Sequence, residues 1–428
     1  MRHLPIHSKL FSRNRVNLCK RLPNQALAIV HANDILPTNA DGTLPLHPNS
    51  DLFYLSGIEQ EESILVLFPS ASEPRHREIL FVKQPNEHLT VWEGYKHCQE
   101  DAQKISGVGT VYWTKDFDKI FQLLATEADI FYLNNNEHNR ANNEVETRDE
   151  RCNKKIREDY PVHQIKRLAP HLHALRFCKS AEEIKLIKEA IAVTARGFHK
   201  VLHMVKPGIK EYEVEAEWAK EFIKRRSKFA YTPIVASGHN ACVLHYLQND
   251  QTCRKGQLLL MDVGACYANY NADLTRTIPV SGKFSRRQKQ VYNSVLRVLR
   301  QCIDNATIGK SLKEWQNDSH DMMTEEMLKL KLITKAEVKK QSLDQPACRK
   351  FYMHGLGHSL GLDVHDVSNG QSVFRENSVF TVEPGIYLPD EGFGVRLEDN
   401  IQITKNEPIN LMSKIPIEPE EIEQIMNR

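Results

Sequence analysis

Two pairs of acidic residues lie at the ends of apolar stretches, and the members of each pair are separated by a segment that can turn. Asp262 ends an apolar run and Asp273 follows eleven residues later, while Glu383 and Glu398 flank a segment that contains proline and glycine. If each segment forms a hairpin, the members of a pair face each other across a β-ladder, with Cβ atoms roughly 5 Å apart and like charges in repulsion. This pattern predicts bound cations, and a pair of divalent metal ions is the simplest expectation.

Three histidines, His354, His358 and His365, fall within twelve residues. With 19 histidines in 428 residues, a random window of that size holds about 0.5. Two glycines separate the first two histidines, which indicates a tight loop and not a helix. The cluster favours a functional site, whereas an isolated histidine such as His245 is more often a packing or surface residue.

The expected donor set consists of four carboxylates and one imidazole without a thiolate. Such ligands favour Mn²⁺, Co²⁺ or Fe²⁺ over a structural zinc site, so we expect two divalent ions per chain, Mn²⁺ first, with Co²⁺, Fe²⁺ and Zn²⁺ as alternatives. A hydroxide can bridge two ions that lie about 3.5–4 Å apart, and the ions can also polarise a carbonyl. That chemistry hydrolyses an amide or ester without a protein nucleophile, and the sequence contains no G-x-S-x-G, P-loop or G-x-G-x-x-G motif.

Each carboxylate also has a simpler interpretation. An aspartate beside a glycine, as at Asp262, is often only a turn former, and Glu383 before Pro384 can end a strand. For any one of these carboxylates, the simpler interpretation is as well supported as a role as a metal ligand. Taken with the histidine cluster, the metal site is favoured.

Composition limits the class of protein. A length of 428 residues predicts two domains, and 41% hydrophobic with 26% charged residues is typical of a soluble globular protein. The net charge of +2 gives no general attraction to nucleic acid or to a membrane surface, and no apolar run approaches the roughly 20 residues of a membrane helix. We therefore expect neither kind of partner.

The sequence has nine cysteines, an odd number, and no CxxC motif. It therefore suggests neither a disulfide framework nor a zinc knuckle. Free thiols in a reducing cytoplasm are the expectation. The first acidic residue is Asp34 and basic residues precede it. A mitochondrial targeting segment is one interpretation of this start, and a basic first helix over about Ser8 to Arg21 is the favoured one.

The first third of the chain alternates strand and helix patterns, which predicts an α/β domain over residues 1–174. The strand candidates are short, apolar and bounded by turn residues. They are Ala26–Val30, Ile64–Phe68, Ile79–Val82 and Ile130–Leu133. The polar stretch from Asn134 to Asp159 is predicted as a loop or solvated helix.

Residues 175–428 are predicted as a second domain of α+β class. Capping-box patterns begin helices at Ser180, Ser285 and Ser311, and a further helix is expected over about Glu211 to Arg226. The order is two helices and an acidic hairpin, twice. It predicts a curved antiparallel sheet with helices on its outer face and a pseudo-two-fold metal site in the middle.

The five candidate ligands occur in characteristic contexts: Met-Asp262-Val-Gly, Ala-Asp273-Leu-Thr-Arg-Thr, His-Gly-Leu-Gly-His358, Val-Glu383-Pro-Gly and Arg-Leu-Glu398-Asp. In order and context they resemble those of the pita-bread metallopeptidases, which include methionine aminopeptidase, prolidase and aminopeptidase P. The resemblance implies the pita-bread fold for residues 175–428. It also implies the identity of the metal ligands as Asp262, Asp273, His358, Glu383 and Glu398.

Within that group the chain resembles aminopeptidase P of the bacterial type over nearly its full length. Asn49–Gly57 is similar to that family's N-terminal segment, and His354 to Asp366 is similar to the Xaa-Pro and prolidase branch. The implied activity is removal of the first residue from peptides with proline in second position. The alternatives are a prolidase, which cleaves only Xaa-Pro dipeptides, and a non-catalytic binding protein, which would be expected to have lost ligands.

The resemblance also implies roles for individual residues. Asp262 would bind one ion, Asp273 and Glu398 would bridge both, and His358 with Glu383 would complete the second ion's shell. Glu383 would also act as general base.

Further catalytic and substrate contacts are implied in the same way. His245, His354 and His365 would surround the scissile bond as catalytic and substrate-binding residues. Arg396 would support catalysis and Tyr231 would line the substrate pocket.

The remaining implications concern the first domain and assembly. Trp92 is similar to a family tryptophan that reaches a neighbouring subunit's pocket, although an ordinary core or surface aromatic residue is an equally good interpretation. The first domain would limit access to substrates with a free amino end and supply oligomer contacts, in a homodimer or homotetramer.

Overall fold

The computed structural model describes residues 3–141, 144–368 and 370–428. These residues form two compact units, His3–Arg176 and Phe177–Arg428, so the division lies two residues after the boundary placed at 174/175 from sequence. Within the described ranges, no helix combines the length and the apolar character that a membrane crossing needs.

The first unit contains short strands and helices in alternation. Its strands are β1 (Ala26–His31), β2 (Ile64–Leu67), β3 (Glu78–Val82), β4 (Thr110–Trp113), β5 (Ile130–Leu133) and β6 (Gln164–Arg167). Its helices are α1 (Lys9–Cys19), α2 (Ser50–Ser56), α3 (Glu87–Glu93), α4 (Gln99–Ser106), α5 (Phe117–Ala125), α6 (Arg148–Asp159) and α7 (Ala169–Phe177). The strands form one six-stranded sheet in the order β4-β3-β2-β1-β5-β6.

Strand β1 is central to this sheet. It pairs antiparallel with β2 and parallel with β5, and all six of its residues are buried. A strand that is covered on both faces has a continuous apolar sequence, whereas a half-exposed strand alternates apolar and polar residues. This continuous run makes Ala26–Val30 recognisable in the sequence. Leu27 and Ile29 pack in the core together with Phe81 and Phe131.

The last residue of β1 is polar and buried. His31 Nδ1 lies 2.9 Å from Asp149 Oδ1, and the Cys152 side chain also acts on its imidazole. Asp149 and Cys152 are three residues apart on α6, so they present their side chains on the same helix face. Burial opposes protonation of His31, but the hydrogen bond to Asp149 and the influence of Cys152 outweigh it and raise its pKa to about 9. We call these three residues the His31 cluster.

The His31 cluster predicts a dependence of local stability on pH. Because the folded-state pKa lies above the ordinary 6.5, the stabilisation is complete below pH 6.5 and is lost as the pH rises through about 9. A shift of this size corresponds to about 3 kcal/mol in the free energy of unfolding. Hydrogen exchange of the β1 amides should therefore give a lower opening free energy at pH 9.5 than at pH 6, after correction for the intrinsic exchange rate. A His31→Gln variant should lose this pH difference, and an equal difference in the variant would contradict the assignment.

The second unit contains longer helices and short strands. Its helices are α8 (Ala181–Met204), α9 (Glu211–Lys224), α10 (Arg286–Asp304), α11 (Leu312–Lys329), α12 (Lys335–Lys339) and α13 (Pro419–Met426). Its strands are β7 (Lys228–Phe229), β8 (Ile234–Ser237), β9 (Leu258–Asp262), β10 (Ala265–Tyr267), β11 (Tyr270–Asn271), β12 (Thr275–Pro279), β13 (Val379–Val382), β14 (Gly385–Leu388), β15 (Phe393–Arg396), β16 (Asp399–Gln402) and β17 (Ile409–Asn410).

The long helices begin at the capping boxes. At the start of α8, Ser180 Oγ accepts from the Glu183 amide, and the Glu183 carboxylate accepts from the Ser180 amide at 2.9 Å. The same reciprocal pair begins α10 at Ser285 and α11 at Ser311. Each pair satisfies backbone N–H groups that a helix start leaves without partners.

The strands of this unit pair into short antiparallel ladders, in the orders β12-β9-β8, β11-β10-β7, β13-β16-β17 and β14-β15. Helices α8 and α9 precede the ladder of β9 and β12, and α10 and α11 precede that of β13 and β16. The element order thus contains two long helices followed by an acidic hairpin, twice, with the short helix α12 added before the second hairpin.

Candidate metal centre

The first hairpin places Asp262 and Asp273 on one face of a ladder. The partner of Asp262 is Thr275, and the same register continues through the β10–β11 pair to a turn at Ala268 and Asn269, which have φ of 51° and 63°. Asp273 is therefore a diagonal neighbour of Asp262, two positions from direct opposition. The expected direct pairing is wrong because the turn lies one residue later than predicted.

The second hairpin places Glu383 opposite Glu398. Val382 pairs with Asp399, and Gly385 pairs with Arg396, so the two glutamates occupy the intervening position of one continuous register. Pro384 has no N–H to donate, which accounts for the interruption of the ladder here. Two carboxylates at directly opposed positions repel each other unless a cation lies between them.

Two glycines allow backbone to approach these residues closely. A Cβ at Gly264 would lie 1.8 Å from the carbonyl oxygen of Ala272, and one at Gly357 would lie 2.1 Å from that of Thr381. Both distances are far below van der Waals contact. The glycine before His358 is therefore required by the approach of the histidine loop to β13.

His358 is held with one ring nitrogen directed at the carboxylates. Its carbonyl accepts from the Thr381 amide and its amide donates to the Thr381 hydroxyl. Its Nδ1 donates to the carbonyl of Ser359 at 3.1 Å. That bond fixes the tautomer and leaves the lone pair of Nε2 for the site. Nε2 lies 3.4 Å from Asp273 Oδ2 and 3.6 Å from Glu383 Oε1.

These residues fit a divalent cation. Asp273, His358 and Glu398 each offer a ligand atom, and those atoms lie within 4.8 Å of one another. Thr275 Oγ1 donates to Glu398 Oε2 at 2.7 Å, whereas the buried Glu398 Oε1 has no hydrogen-bond partner among the described residues. A buried carboxylate oxygen without a donor is costly, and a hard cation satisfies it.

The electrostatics of the site lead to the same conclusion. Burial and neighbouring carboxylates such as Asp273 raise the pKa of Glu383 to about 7, even though His358 opposes the shift. Burial and the same neighbours raise the pKa of Glu398 well above its usual range. Buried like charges resist joint ionisation, so a positive charge between these groups stabilises their ionised forms.

Tyr231 and Arg396 both bind Asp262. The Tyr231 hydroxyl lies 2.6 Å from Asp262 Oδ1 and also within hydrogen-bond distance of Asp273. Arg396 Nη2 donates to Asp262 Oδ2 at 2.7 Å, and its guanidinium is buried. Tyr231 and Arg396 therefore fix the orientation of the Asp262 carboxylate, each through one of its two oxygens.

His354 is neutral and fully hydrogen-bonded. Its Nδ1 donates to the carbonyl of Gly355 at 2.8 Å, and its Nε2 accepts from the hydroxyl of Tyr387 at 2.7 Å. That hydroxyl accepts in turn from Arg396 Nη1 at 2.9 Å, which fixes the direction of the chain of bonds. Burial and the charge of Arg396 lower the pKa of His354 to about 3. Tyr387 was not identified from sequence, since its only local signal is its position after the Glu-Pro-Gly segment.

His365 packs edge to face against His358, with ring centroids 4.2 Å apart. The loop that carries it is anchored by an ion pair between Lys179 Nζ and Asp366 Oδ2 at 3.0 Å, in which both side chains are 1% exposed. Asn271 adds a bond to the carbonyl of Leu362 at 2.9 Å. Neither Lys179 nor Asp366 was identified from sequence.

His245 lies in a loop that is tied to a buried glutamate. Glu211, which is 0% exposed, accepts four hydrogen bonds of 2.7–2.9 Å from the loop and β8: the Ser237 amide and hydroxyl, the Tyr246 hydroxyl and the Gln251 amide.

Replacing Glu211 with glutamine should destabilise the second unit and release the His245 loop. The NH₂ group of the glutamine side chain is a donor, and it would face two of the four groups that donate to Glu211. We expect this conflict to lower the free energy of unfolding by about 2–3 kcal/mol. Urea unfolding measures the loss. Tyr246→Phe is the matched control, because it removes one donor without introducing a conflict and should cost clearly less. Equal stability of Glu211→Gln and the wild type would contradict this account of the loop.

The structure thus brings together the five candidate ligands with Tyr231, His354, His365 and Arg396. The final candidate, Trp92, belongs to the first unit. It lies on α3, its side chain is 76% exposed, and the ring of His88 is 5.9 Å away.

Comparison with known proteins identifies both parts of the chain. Metallopeptidase family M24 matches residues 185–405, and the family described as aminopeptidase P, N-terminal domain, matches residues 11–132. The Xaa-Pro aminopeptidase of Escherichia coli is 33% identical over 431 aligned residues, which cover 97% of each chain.

Solved structures agree with the sequence matches. The zinc-substituted E. coli aminopeptidase P in complex with product has a TM-score of 0.87 at 31% identity, and the same enzyme with the inhibitor Pro-Leu has a TM-score of 0.87 at 32%. Each alignment covers 99% of both chains. The expected fold, an α/β domain followed by a pita-bread domain, is confirmed. The protein is a metallo-exopeptidase of the hydrolase class, and the chain belongs to metallopeptidase family M24, among the aminopeptidases P.

Proposed function

We propose that this chain is a Xaa-Pro aminopeptidase that uses two divalent cations held by Asp262, Asp273, His358, Glu383 and Glu398. The observation that carries the proposal is the convergence of two acidic hairpins on the Nε2 atom of His358. The E. coli relative, which is similar over nearly the whole chain, bears the name of this activity.

Cations at this site would supply a water of lowered pKa and polarise the carbonyl of the scissile bond. Glu383 takes the proton of the attacking water on a carboxylate oxygen and returns it to the leaving nitrogen. Without a cation the pKa of Glu383 is about 7, and cations at the site would stabilise its ionised form, which is the form that accepts a proton. Mn²⁺ is the ion that we expect, with Co²⁺, Fe²⁺ and Zn²⁺ as alternatives.

The surrounding residues orient the reacting groups. Arg396 is permanently charged and binds Asp262 and Tyr387 together, so it fixes both a ligand and the partner of His354. Because both ring nitrogens of His354 already bind protein groups, this residue positions the site and does not transfer protons. His245 and His365 are the histidines that we assign to contact with the substrate.

Proline in second position sets the substrate class. The nitrogen of the Xaa-Pro bond belongs to proline and carries no hydrogen. A site that needs an N–H donor there rejects these peptides, whereas the proposed site requires none. The first domain would limit access to a free amino end, and Trp92 would serve an interface in a homodimer or homotetramer. A cytoplasmic location is the expectation that accompanies free cysteines.

A panel of peptides tests this function with Mn²⁺ present. Ala-Pro, Ala-Pro-Ala and longer Xaa-Pro peptides are compared with Ala-Ala-Ala, and the released first residue is quantified. Release from tripeptides and longer peptides, with none from the control, supports a Xaa-Pro aminopeptidase. Cleavage confined to the dipeptide establishes a prolidase. No cleavage, with metal content verified, would overturn the catalytic assignment in favour of a binding protein.

A further inference from the structure

The segment from Ser359 to Asp366 is a loop whose two ends are joined. The Asp366 amide donates to the Ser359 carbonyl at 2.8 Å. His358 directly precedes this loop and His365 lies just inside its far end, with their ring centroids 4.2 Å apart. The joined ends, which we call the loop base, therefore set the position of a proposed metal ligand and of a proposed substrate contact.

One buried ammonium group binds both ends of the loop base. Lys179 Nζ lies 3.0 Å from Asp366 Oδ2 and 3.4 Å from Ser359 Oγ, and it donates to the Phe177 carbonyl at 3.3 Å. Removing two charges from water is costly, and only good geometry and additional hydrogen bonds repay that cost. The three partners of this ammonium group therefore indicate a charge that is held at a fixed point.

Lys179 is itself fixed by backbone contacts. Its amide donates to the carbonyl of Asn377 at 2.8 Å, and the residue before it pairs with Ser378 in an isolated β-bridge. Ser378 directly precedes β13, the strand whose Thr381 holds His358. The ammonium group is thus fixed relative to the same strand that holds the proposed ligand.

The packing around the ion pair requires a glycine. A Cβ at Gly361 would lie 2.2 Å from Asp366 Oδ2 and 3.0 Å from Lys179 Cε, so a larger residue would push the pair apart. On the other side, Asn271 donates to the carbonyls of Gly361 and Leu362, each at 2.9 Å. Because Asn271 belongs to β11, these bonds join the loop to the first acidic hairpin.

We propose that Lys179 and Asp366 are a positioning pair for peptide cleavage, which holds His365 against His358 and so places it at the substrate. The inference rests on the proposed function, because it takes His365 as a substrate contact. His358 depends less on the pair, since Thr381 also holds it through two hydrogen bonds. Loss of the pair should therefore displace His365 and leave metal binding intact.

The double variant Lys179→Met/Asp366→Asn tests the proposal. Each single variant leaves the other charge buried without its partner, which destabilises the fold whatever the pair does for catalysis. The double variant removes both charges with little change of shape, and neutral replacement of a buried ion pair is often tolerated. Urea unfolding and metal analysis should show a folded protein that binds as many Mn²⁺ ions as the wild type.

Steady-state kinetics of the double variant with Ala-Pro-Ala should show a KM raised about fivefold or more. Loss of a substrate contact weakens binding and raises KM, whereas a merely structural role lowers the amount of active enzyme and leaves KM unchanged. Lys405→Met/Glu376→Gln removes an exposed ion pair of the same unit and should keep the wild-type KM. An unchanged KM in the folded Lys179→Met/Asp366→Asn variant would overturn the proposal.

Ser359→Ala is a milder variant that decides the question if the double variant does not fold. It removes one partner of the ammonium group and leaves the charges of Lys179 and Asp366 paired, so the fold should persist. KM should rise by about twofold, because one of the two bonds from the ammonium group to the loop base is lost. A wild-type KM in Ser359→Ala would then overturn the proposal.

Hydrogen exchange of the Mn²⁺-loaded protein gives a measurement that needs no substrate. Amides of residues 359–366 should exchange at least about tenfold faster in the double variant, or measurably faster in Ser359→Ala, while those of β13 stay unchanged. If the wild type did not cleave Ala-Pro-Ala, the proposed function would fail, and this comparison alone would decide whether the pair positions the loop. Equal exchange of the loop in variant and wild type would overturn the proposal.

Discussion

Replacing Glu383 with glutamine should lower kcat for Ala-Pro-Ala by about 10³-fold or more. The substitution keeps the shape of the side chain but removes the group that accepts the proton, and general-base catalysis is typically worth 10²–10⁴-fold. Glu383 is also a proposed ligand, so part of the loss will come from weaker metal binding. Steady-state kinetics at saturating Mn²⁺ measures the total loss of kcat. Metal content measured in parallel separates the loss of the general base from the loss of bound metal.

Glu391→Gln is the matched control for this experiment. Glu391 lies in the turn of the same hairpin and pairs with Arg287 near the surface. Its replacement should leave kcat within a factor of two, because it touches none of the proposed ligands. Retention of a tenth or more of the wild-type kcat by Glu383→Gln would refute the assignment of Glu383 as general base.

Replacing Asp273 with asparagine should lower the metal content below two ions per chain. Asp273 lies on the same face of the ladder as Asp262, and its Oδ2 is 3.4 Å from His358 Nε2. The amide removes a negative charge and one of the two oxygens that a bridging ligand needs. Elemental analysis of protein loaded with Mn²⁺ and then desalted measures the stoichiometry.

The control for that experiment is Asp390→Asn, at an exposed turn position of the second hairpin. It should bind the same number of ions as the wild type. If Asp273→Asn also retained two ions per chain, the bridging role of Asp273 would be wrong. The ligand set would then need a different carboxylate between the ions.

Features governed by neighbouring residues were predictable from sequence. The capping boxes at Ser180, Ser285 and Ser311 begin helices because both members of each pair lie within four residues. The turn of the second hairpin follows from proline and glycine, and it sets the register that places Glu383 opposite Glu398. In the first hairpin, Ala268 and Asn269 turn with positive φ. Alanine gives no sign of such a conformation, so the register was predicted one residue early.

Features governed by distant residues could not be predicted from sequence. Lys179 and Ser359 are 180 residues apart, and His31 and Asp149 are 118 apart. Glu211 holds the His245 loop through partners that lie 26 to 40 residues away. Nothing in the local sequence distinguishes these buried polar residues from solvated ones, because their partners are set by tertiary packing. The five proposed ligands are different, since their sequence contexts are characteristic in themselves.

Titration of metal-free protein with Mn²⁺, while release of alanine from Ala-Pro-Ala is followed, tests the central claim most directly. A site built from two acidic hairpins and His358 should be inactive without metal and should reach full activity at two equivalents per chain. Turnover by protein shown to be metal-free would contradict it, and so would full activity at one equivalent with no further binding.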